Sequence, residues 1–311
     1  MKRRQFNKLF TSASSGVILS SAYSCNNLKK KNKFGISLAQ WSLNKMIKIE
    51  KTLNPKDFAF QAKELGFDAI EYVSTLYRPE LEKMTISKLT KELTSNSEEY
   101  NIKNLLIMVD DEGDLSSSNA NQIIESVEKH KKWVEMAYEL GCHSVRVNLE
   151  GESELEKWKK NSVIGLTKLS EFASNSNINI IVENHGSHSS NGKALAEVIE
   201  NVNLENCGTL PDFGNFCIKR KNNSLYDGPC EVEYDKYQGM RDLMPYAKAV
   251  SAKSYDFNDK GEETTIDFRQ MMSIVEEFGY EGFLGIEYEG NKLSEKEGIR
   301  LTKELIQKYN Y

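Results

Sequence analysis

Short apolar segments alternate along the chain with longer segments in which apolar residues recur at helical spacing. Uninterrupted apolar runs of this length are typical of strands buried on both faces of a parallel sheet. We predict eight such strands, at 34–41, 67–73, 102–109, 143–149, 178–184, 207–213, 247–255 and 283–289. The intervening segments predict eight helices, at 56–65, 86–100, 121–140, 157–175, 192–201, 235–244, 265–278 and 294–309.

Local signals agree with these helix ends. Asn54-Pro55 is typical of a helix start, and Gly66 and Gly141 each follow the last turn of a predicted helix. Strands in strict alternation with helices predict a single (β/α)8 TIM barrel over residues 34–311, which is an α/β fold. A doubly wound open sheet is the alternative, but no G-x-G-x-x-G motif follows the first strand.

One connection is unusually long. Residues 213–234 read "FGNFCIKRKNNSLYDGPCEVEY" and show neither an apolar strand run nor the helical spacing of apolar residues. A structureless connection of this length in a barrel is usually a lid or a binding loop. We find no internal repeat and no linker that indicates a second folded domain.

Composition and net charge indicate which kind of molecule the protein binds. The chain has 311 residues, of which 39% are hydrophobic, and a formal net charge of −5. This is enough apolar material for one large core. An acidic chain is a poor ligand for polyanions, so we expect a small-molecule partner and no nucleic acid.

The amino terminus predicts export. "MKRRQFNKLF" carries the pair Arg3-Arg4 before a mildly apolar segment, and residues 1–24 resemble a bacterial twin-arginine signal. A disordered basic tail is the alternative. Residues 25–33 form a basic spacer, and Cys25 is either an ordinary residue or a lipidated membrane tether. The expected location is the periplasm, with or without a lipid anchor.

The remaining cysteines predict no structural zinc site, because no C-x-x-C motif is present. Cys217 and Cys230 flank the polar part of the long connection. We favour free buried thiols there, with a disulfide as the alternative in an oxidising compartment. Among the histidines, His143 is expected to be structural and His130 to be a solvated surface residue on a helix.

Polar side chains gather where the predicted strands end, and in a barrel these carboxyl ends carry the chemistry. The stretch "NIIVENHGSH" alone supplies a glutamate and two histidines. The candidate site residues are Gln40, Trp41, Glu71, Arg146, Asn148, Glu183, His185, His188, Asp212, Asn215, Lys253, Tyr255, Glu287 and Glu289.

Three carboxylates among them need compensating positive charge. Glu183, Asp212 and Glu287 each close an apolar strand, and a divalent cation would neutralise them, with His185 as a further ligand. The expected ion is Mn²⁺, Mg²⁺, Co²⁺ or Zn²⁺. Lys253 or Arg146 is the alternative source of charge.

Four motifs carry a resemblance to a known family. "IVENHG", "LPDFGNF", "AVSAKSYDF" and "GFLGIEYEG", in this order, resemble the sugar phosphate isomerase/epimerase family, whose fold is the xylose-isomerase-like barrel, and in particular its exported members. The resemblance implies that Glu183, Asp212 and Glu287 bind one divalent metal. It also implies that Glu183 and Glu287 act as the acid and base that move a proton beside a carbonyl.

Two positions depart from the family pattern. A metal-binding histidine is usual where this chain has Ser251, and a second histidine is usual where it has Asn215. Both departures lower the expected metal affinity, and His185 or Lys253 would have to compensate.

The sequence therefore predicts an enzyme that acts on a keto or aldehydo sugar, most simply an isomerase or epimerase. Lys253 or a metal would polarise the carbonyl, Glu183 or Glu287 would remove the adjacent proton, and Trp41 and Tyr255 would stack on the sugar. Export favours a neutral sugar or glycoside over a phosphorylated metabolite.

Three other functions remain open. The same proton removal on a 3-keto-glycoside would allow elimination, which is lyase chemistry. A sugar-binding barrel without turnover is the second alternative. A nuclease is the third, but the chain is acidic and has only four histidines. Apolar helix faces also leave an oligomer open.

Overall fold

The computed structural model describes residues 34–222, 224–225 and 227–310. The predicted export signal at 1–24, Cys25 and the spacer at 25–33 lie outside the described residues. No helix in the described part of the chain is long and apolar enough to cross a membrane.

Eight parallel strands form the central sheet, in the order β6-β5-β4-β3-β2-β1-β10-β9. These eight strands are β1 Gly35–Ala39, β2 Ala69–Val73, β3 Lys103–Met108, β4 Ser144–Val147, β5 Asn179–Glu183, β6 Cys207–Leu210, β9 Val250–Ser254 and β10 Phe283–Tyr288. Strands β7 Cys217–Arg220 and β8 Cys230–Glu233 form a separate two-stranded sheet. Parallel bridges from Thr209 to Ala247 and from Asp212 to Ser251 join the two edge strands of the central sheet. The predicted TIM barrel is thereby confirmed.

Helices cover the outside of the sheet. They are α1 Phe58–Glu64, α2 Arg78–Leu81, α3 Ile86–Glu99, α4 Ala120–Glu139, α5 Leu155–Ser174, α6 Gly192–Val202, α7 Lys236–Leu243, α8 Phe268–Glu277 and α9 Glu295–Tyr309. All eight predicted helices are present. Side chains of Asn191, Asp235 and Ser294 accept hydrogen bonds from the first turns of α6, α7 and α9, which satisfies amide groups that lack helical partners.

The core lies between the strands and the helices. Trp133 on α4 and Trp158 on α5 are its largest fully buried side chains. The strands carry apolar residues on both faces because one face meets the helices and the other fills the barrel. This double burial explains why the strands were visible as apolar runs.

The long connection is not structureless. It contains the antiparallel hairpin of β7 and β8, which a disulfide between Cys217 and Cys230 crosses. Our preference for free thiols at these positions was therefore wrong. The hairpin brings the two Cα atoms to 5.8 Å, within the range that a disulfide spans. Its strands are largely exposed and polar, so no apolar pattern predicted their pairing.

The expectation for His130 was also wrong. Its ring is buried in α4 rather than solvated, and Nδ1 lies 2.7 Å from the carbonyl oxygen of Ser126 in the preceding turn. Burial lowers the pKa of His130, because the charged imidazolium would lose its hydration. A neutral imidazole with one hydrogen bond is a stable part of the core.

Candidate active site

A cavity of about 1280 Å³ opens at the carboxyl ends of the barrel strands. Nine of the predicted site residues line it. They are Trp41, Arg146, Asn148, His185, Asn215, Lys253, Tyr255, Glu287 and Glu289. The strand ends are therefore brought together as the barrel topology predicts.

Lys253 is the central cation of the cavity floor. It lies on β9, and its side chain is buried. The Nζ atom is 2.6 Å from Oε1 of Glu287, 3.2 Å from Oε2 of Glu289 and 3.9 Å from Oδ2 of Asp212. Residues Lys253 and Glu287 are paired in register on β9 and β10, so the sheet itself sets this contact.

Arg146 is the second buried cation. Its Nε forms an ion pair with Oε2 of Glu183 at 3.0 Å, and its Nη1 donates to Oδ1 of Asp110 at 2.6 Å. Asn148 donates to the same oxygen of Asp110 at 2.9 Å. The other oxygen of Glu183 accepts from Nδ2 of Asn215 at 3.0 Å. Glu183 lies behind the cavity lining, and from there it fixes the guanidinium of Arg146 and the side-chain amide of Asn215.

Asp212 is held by the backbone and by one hydroxyl. Its Oδ1 accepts from the amide groups of Gly214 and Asn215, at 2.8 and 2.9 Å. Its Oδ2 accepts from Oγ of Ser251 at 2.6 Å. Both oxygens thus have short, well-defined donors.

Acidic groups outnumber basic groups in this cluster. The carboxyl groups are Asp110, Glu183, Asp212, Glu287 and Glu289, and the cations are Arg146 and Lys253. Burial raises the pKa of Glu287 to about 8 and that of Asp212 to about 6, because a buried carboxylate loses its hydration. Two cations cannot offset five negative charges, so the cluster retains protons near neutral pH.

His185 also lines the cavity, at the end of β5. Burial lowers the pKa of its imidazole to about 4, and the nearby charges of Arg146 and Lys253 act in the same direction. The ring is consequently neutral at pH 7. Its backbone amide donates to Oγ of Ser189, which fixes the turn that follows the strand.

Five predicted residues lie outside the cavity lining, namely Glu183 and Asp212, which lie behind it, and Gln40, His188 and Glu71. Gln40 is buried and bonded to Pro55 and Tyr77. His188 contacts the carbonyl oxygen of Ser153 at 2.9 Å through Nε2. Glu71 lies in the barrel interior, where Oε1 accepts from Ser37 at 2.6 Å.

The interior position of Glu71 requires a glycine on β10. A Cβ atom at Gly285 would come within 2.3 Å of its carboxylate oxygen. Burial raises the pKa of Glu71 to about 7. Any side chain at 285 would therefore displace the carboxyl group of Glu71 from its present position.

Two functional residues were missed. Asp110 lies two residues after the end of β3, so the strand-end rule that selected the other residues would have selected it too. Arg220 lines the cavity from β7 in the disulfide-bonded hairpin. No apolar pattern marks that hairpin, and the sequence carried no usable signal for Arg220.

The expected metal does not fit these side chains. Both oxygens of Asp212 accept from protein donors, whereas Oε2 of Glu183 and Oε2 of Glu287 have no hydrogen-bond partner among the residues described. Each glutamate nevertheless has a cation beside it, since Nε of Arg146 lies 3.0 Å from Glu183 and Nζ of Lys253 lies 2.6 Å from Glu287. In the described part of the chain, no group of three or more His, Cys, Asp or Glu side chains is arranged to hold a metal ion. The ammonium group of Lys253, which contacts Glu287 and Glu289 and lies 3.9 Å from Asp212, occupies the place that a metal ion would need between these carboxylates.

Fold and site together define an α/β barrel with a deep, charged cavity at its carboxyl end. Residues 60–309 match the family described as xylose isomerase-like TIM barrel, and the chain belongs to that family. No curated protein sequence matches the chain.

Several solved structures share the fold. A D-tagatose 3-epimerase-like protein is 19% identical at a TM-score of 0.63, covering 89% of this chain and 98% of its own. The 3-keto-D-glucoside 4-epimerase of E. coli is 14% identical at a TM-score of 0.65, and the match covers 89% of this chain and 100% of that protein. The IolI protein, solved with a zinc atom, is 18% identical at a TM-score of 0.65, and the match covers 88% of this chain and 99% of that protein. At these identities the likeness shows the fold.

Proposed function

We propose that this protein is an enzyme of the sugar isomerase/epimerase type that removes a proton beside the carbonyl group of a keto sugar. The proposal is carried by the position and the contacts of the carboxyl group of Glu287. Its carboxyl group lines the cavity, one oxygen contacts Lys253, and the buried Oε2 has no hydrogen-bond partner among the residues described. Buried polar atoms normally have partners, and exceptions concentrate at functional sites.

The chemistry follows from this pair. Glu287 accepts the carbon-bound proton, and its raised pKa makes it a stronger base than an ordinary carboxylate. The electron pair moves to the carbonyl oxygen, and the ammonium group of Lys253 stabilises the resulting enolate. Lys253 thus supplies the positive charge that a divalent metal would otherwise supply.

Other groups of the cluster have supporting roles. Tyr255 lines the same cavity, and burial raises the pKa of its hydroxyl, so it remains protonated and can donate to the enolate oxygen. Glu183 positions Arg146 and Asn215 rather than touching the substrate. Trp41, whose Nε1 donates to Glu289 at 2.5 Å, offers a fixed aromatic face to the sugar.

A keto-glycoside is the favoured substrate class. Among proteins of the same fold is a 3-keto-D-glucoside 4-epimerase. On such a substrate, one proton removal can lead to two products. After removal of the C2 proton, delivery of a proton from water to the opposite face gives the C2 epimer, and Glu287 releases its own proton to solvent. Expulsion of the C1 substituent, which leaves as an alcohol after taking up the proton held by Glu287, gives an elimination product instead.

Exchange of the substrate's carbon-bound proton with solvent deuterium tests the proposal, whichever product is formed. The purified protein is incubated in D2O with methyl 3-keto-β-D-glucoside and, separately, with D-tagatose, and loss of the C–H signal is followed by proton NMR. We expect exchange in the wild type and its loss in Glu287→Gln. Glu281→Gln, an exposed glutamate in the loop before β10, is the matched control and should retain it.

Each outcome decides a point. Exchange that survives in Glu287→Gln would contradict the assigned base. Exchange with release of methanol would identify a lyase, and exchange with a new diastereomer an epimerase. Saturable sugar binding without any exchange in the wild type would contradict the proposed enzymatic activity and indicate a sugar-binding barrel.

The proposal includes export to the periplasm. Its support is the Arg3-Arg4 signal in the sequence, together with the disulfide between Cys217 and Cys230. Disulfides persist in oxidising compartments and are rare in the bacterial cytosol. A lipid anchor at Cys25 remains part of the proposal, and mass spectrometry of the mature amino terminus tests it.

A further inference from the structure

We propose that the cavity contains a separate apolar subsite, which binds an apolar aglycone of the glycoside substrate. The inference rests on the proposed function and extends it to the part of the substrate that does not react. Its basis is the unequal distribution of side chains around the cavity. Charged residues line the sectors of β4, β9 and β10. The sector of β1 and β2 combines apolar residues, most of them buried or half-buried, with charged residues at its rim, of which Lys48, Lys51, Arg78 and Lys83 are exposed and Glu80 is half-buried.

The apolar sector is formed by two neighbouring connections. Ile47, Leu53 and Pro55 come from the segment between β1 and α1, and Leu76 and Pro79 come from the segment after β2. Strands β1 and β2 are adjacent in the sheet, so both connections leave the barrel on the same side. We call these five residues the apolar wall.

A buried glutamine fixes the wall. Gln40 donates from Nε2 to the carbonyl oxygen of Pro55 at 3.1 Å and to the hydroxyl of Tyr77 at 2.9 Å. Its Oε1 accepts from the amide of Val73 at 3.1 Å. These bonds tie the first connection to the end of β2. The wall is therefore a preorganised surface, which reduces the entropy lost when a ligand binds to it.

Trp41 joins the wall to the charged floor. It immediately follows Gln40, and its indole Nε1 donates to Glu289, which also contacts Lys253. A sugar ring held over Lys253 and Glu287 would accordingly have the wall beside it. A glycoside presents this combination, with a polar ring that carries the reactive carbonyl and an attached group of different polarity.

The size of the cavity agrees with a two-part ligand. Its volume is about 1280 Å³, above the range of roughly 300–1,000 Å³ that is usual for small-molecule sites. A single hexose would leave the wall in contact with water. An aryl or alkyl aglycone would cover it, and the removal of apolar surface from water favours that occupant.

Binding to an inactive variant tests the subsite. Titration calorimetry on the full chain carrying Glu287→Gln compares phenyl and methyl 3-keto-β-D-glucoside, so that turnover does not interfere. We expect the phenyl compound to bind at least about tenfold more tightly, since a buried aromatic group contributes that much and more. Adding Leu53→Ser should remove most of this preference.

A second leucine provides the control. Leu204 is half-buried like Leu53 but lies between α6 and β6, away from the cavity, so Leu204→Ser should leave the preference unchanged. Equal affinity for the two glucosides, no detectable binding of the phenyl compound, or a preference that survives in Leu53→Ser would each overturn the subsite. Tighter binding of a cellobiose-derived 3-ketoglycoside than of the phenyl compound would also overturn the apolar assignment.

The subsite and the reaction fail separately. A preference for phenyl over methyl without solvent exchange in the wild type would leave the subsite standing and remove the proposed reaction. Solvent exchange that depends on Glu287 without any aglycone preference would do the opposite.

Discussion

The ammonium group of Lys253 lies 2.6 Å from a carboxylate oxygen of Glu287, and both side chains are almost completely buried. A buried ion pair of this kind contributes little net stability, because each group loses its hydration on folding. Its position at the floor of the cavity is more readily explained by chemistry, in which Lys253 supplies positive charge to a developing enolate.

Lys253→Met should therefore reduce solvent exchange by about 10²–10³-fold, the usual effect of removing one preorganised group that stabilises an oxyanion. Lys253 also lowers the pKa of Glu287 relative to what burial alone would produce. The residual activity should consequently require higher pH than that of the wild type. Lys260→Met, at an exposed lysine, is the control, and equal rates in the two variants would contradict the assignment.

The pH dependence of the reaction follows from Glu287. Burial raises its pKa to about 8, so the carboxyl is mostly protonated at pH 7 and ionised above pH 8. Only the ionised form accepts a proton, so the exchange rate should rise with pH from 6, reach half its maximum near pH 8 and level off toward pH 9. Rates measured by NMR between pH 6 and 9 test this. A flat or falling profile would show that another group removes the proton.

Metal removal should leave the activity unchanged. Lys253 contacts Glu287, and Arg146 lies beside Glu183, so a cation of the chain already stands next to each of these carboxylates. We expect dialysis against EDTA to change the exchange rate by less than about twofold, because Lys253 already supplies the positive charge that stabilises the enolate.

Elemental analysis of the protein from its native compartment completes that test. One tightly held Mn, Co, Zn or Mg per chain that is lost in Glu183→Gln would contradict the prediction. So would an EDTA-treated protein that recovers its activity only when one of these ions is added.

The disulfide should protect the hairpin that reaches the cavity. Cys217 and Cys230 are 13 residues apart, and closing a loop of about this length contributes roughly 3 kcal/mol in the chain-entropy model. The double variant Cys217→Ser/Cys230→Ser should thus open this hairpin roughly a hundredfold more often.

Trypsin provides the measurement, because Lys219, Arg220 and Lys221 lie in the hairpin segment. Cleavage there, followed by mass spectrometry, should accelerate in the double variant and in the reduced wild type. KM should also rise, since Arg220 lines the cavity. Equal cleavage rates in oxidised and reduced protein would show that the disulfide does not stabilise the hairpin.

Much of the fold could be predicted because its signals are local. Strands such as Asn179–Glu183 are buried on both faces, and that burial appears directly as an apolar run. The barrel topology then places the ends of separate strands together, which is why Arg146, Lys253 and Glu287 were found without a structure. Asp110 obeyed the same rule and was overlooked.

Other features depend on contacts between residues far apart in the sequence. The disulfide-bonded hairpin has exposed strands, so its pairing leaves no periodic apolar pattern. His130 is a polar residue on a helix, and only the orientation of α4 decides that it is buried. Gln40 was expected to bind substrate, but its amide is used by Pro55, Tyr77 and Val73 to fix the apolar wall.

The sequence by itself determined the barrel and the set of charged residues at its mouth, since strand order and residue type are properties of the chain. Only the tertiary structure decided how those charges are neutralised. A carboxylate binds whichever cation comes within about 3 Å of it, and interaction energies between charges depend steeply on such distances in a buried site. Register between β9 and β10 places Lys253 beside Glu287, so the chain itself supplies a cation at this position.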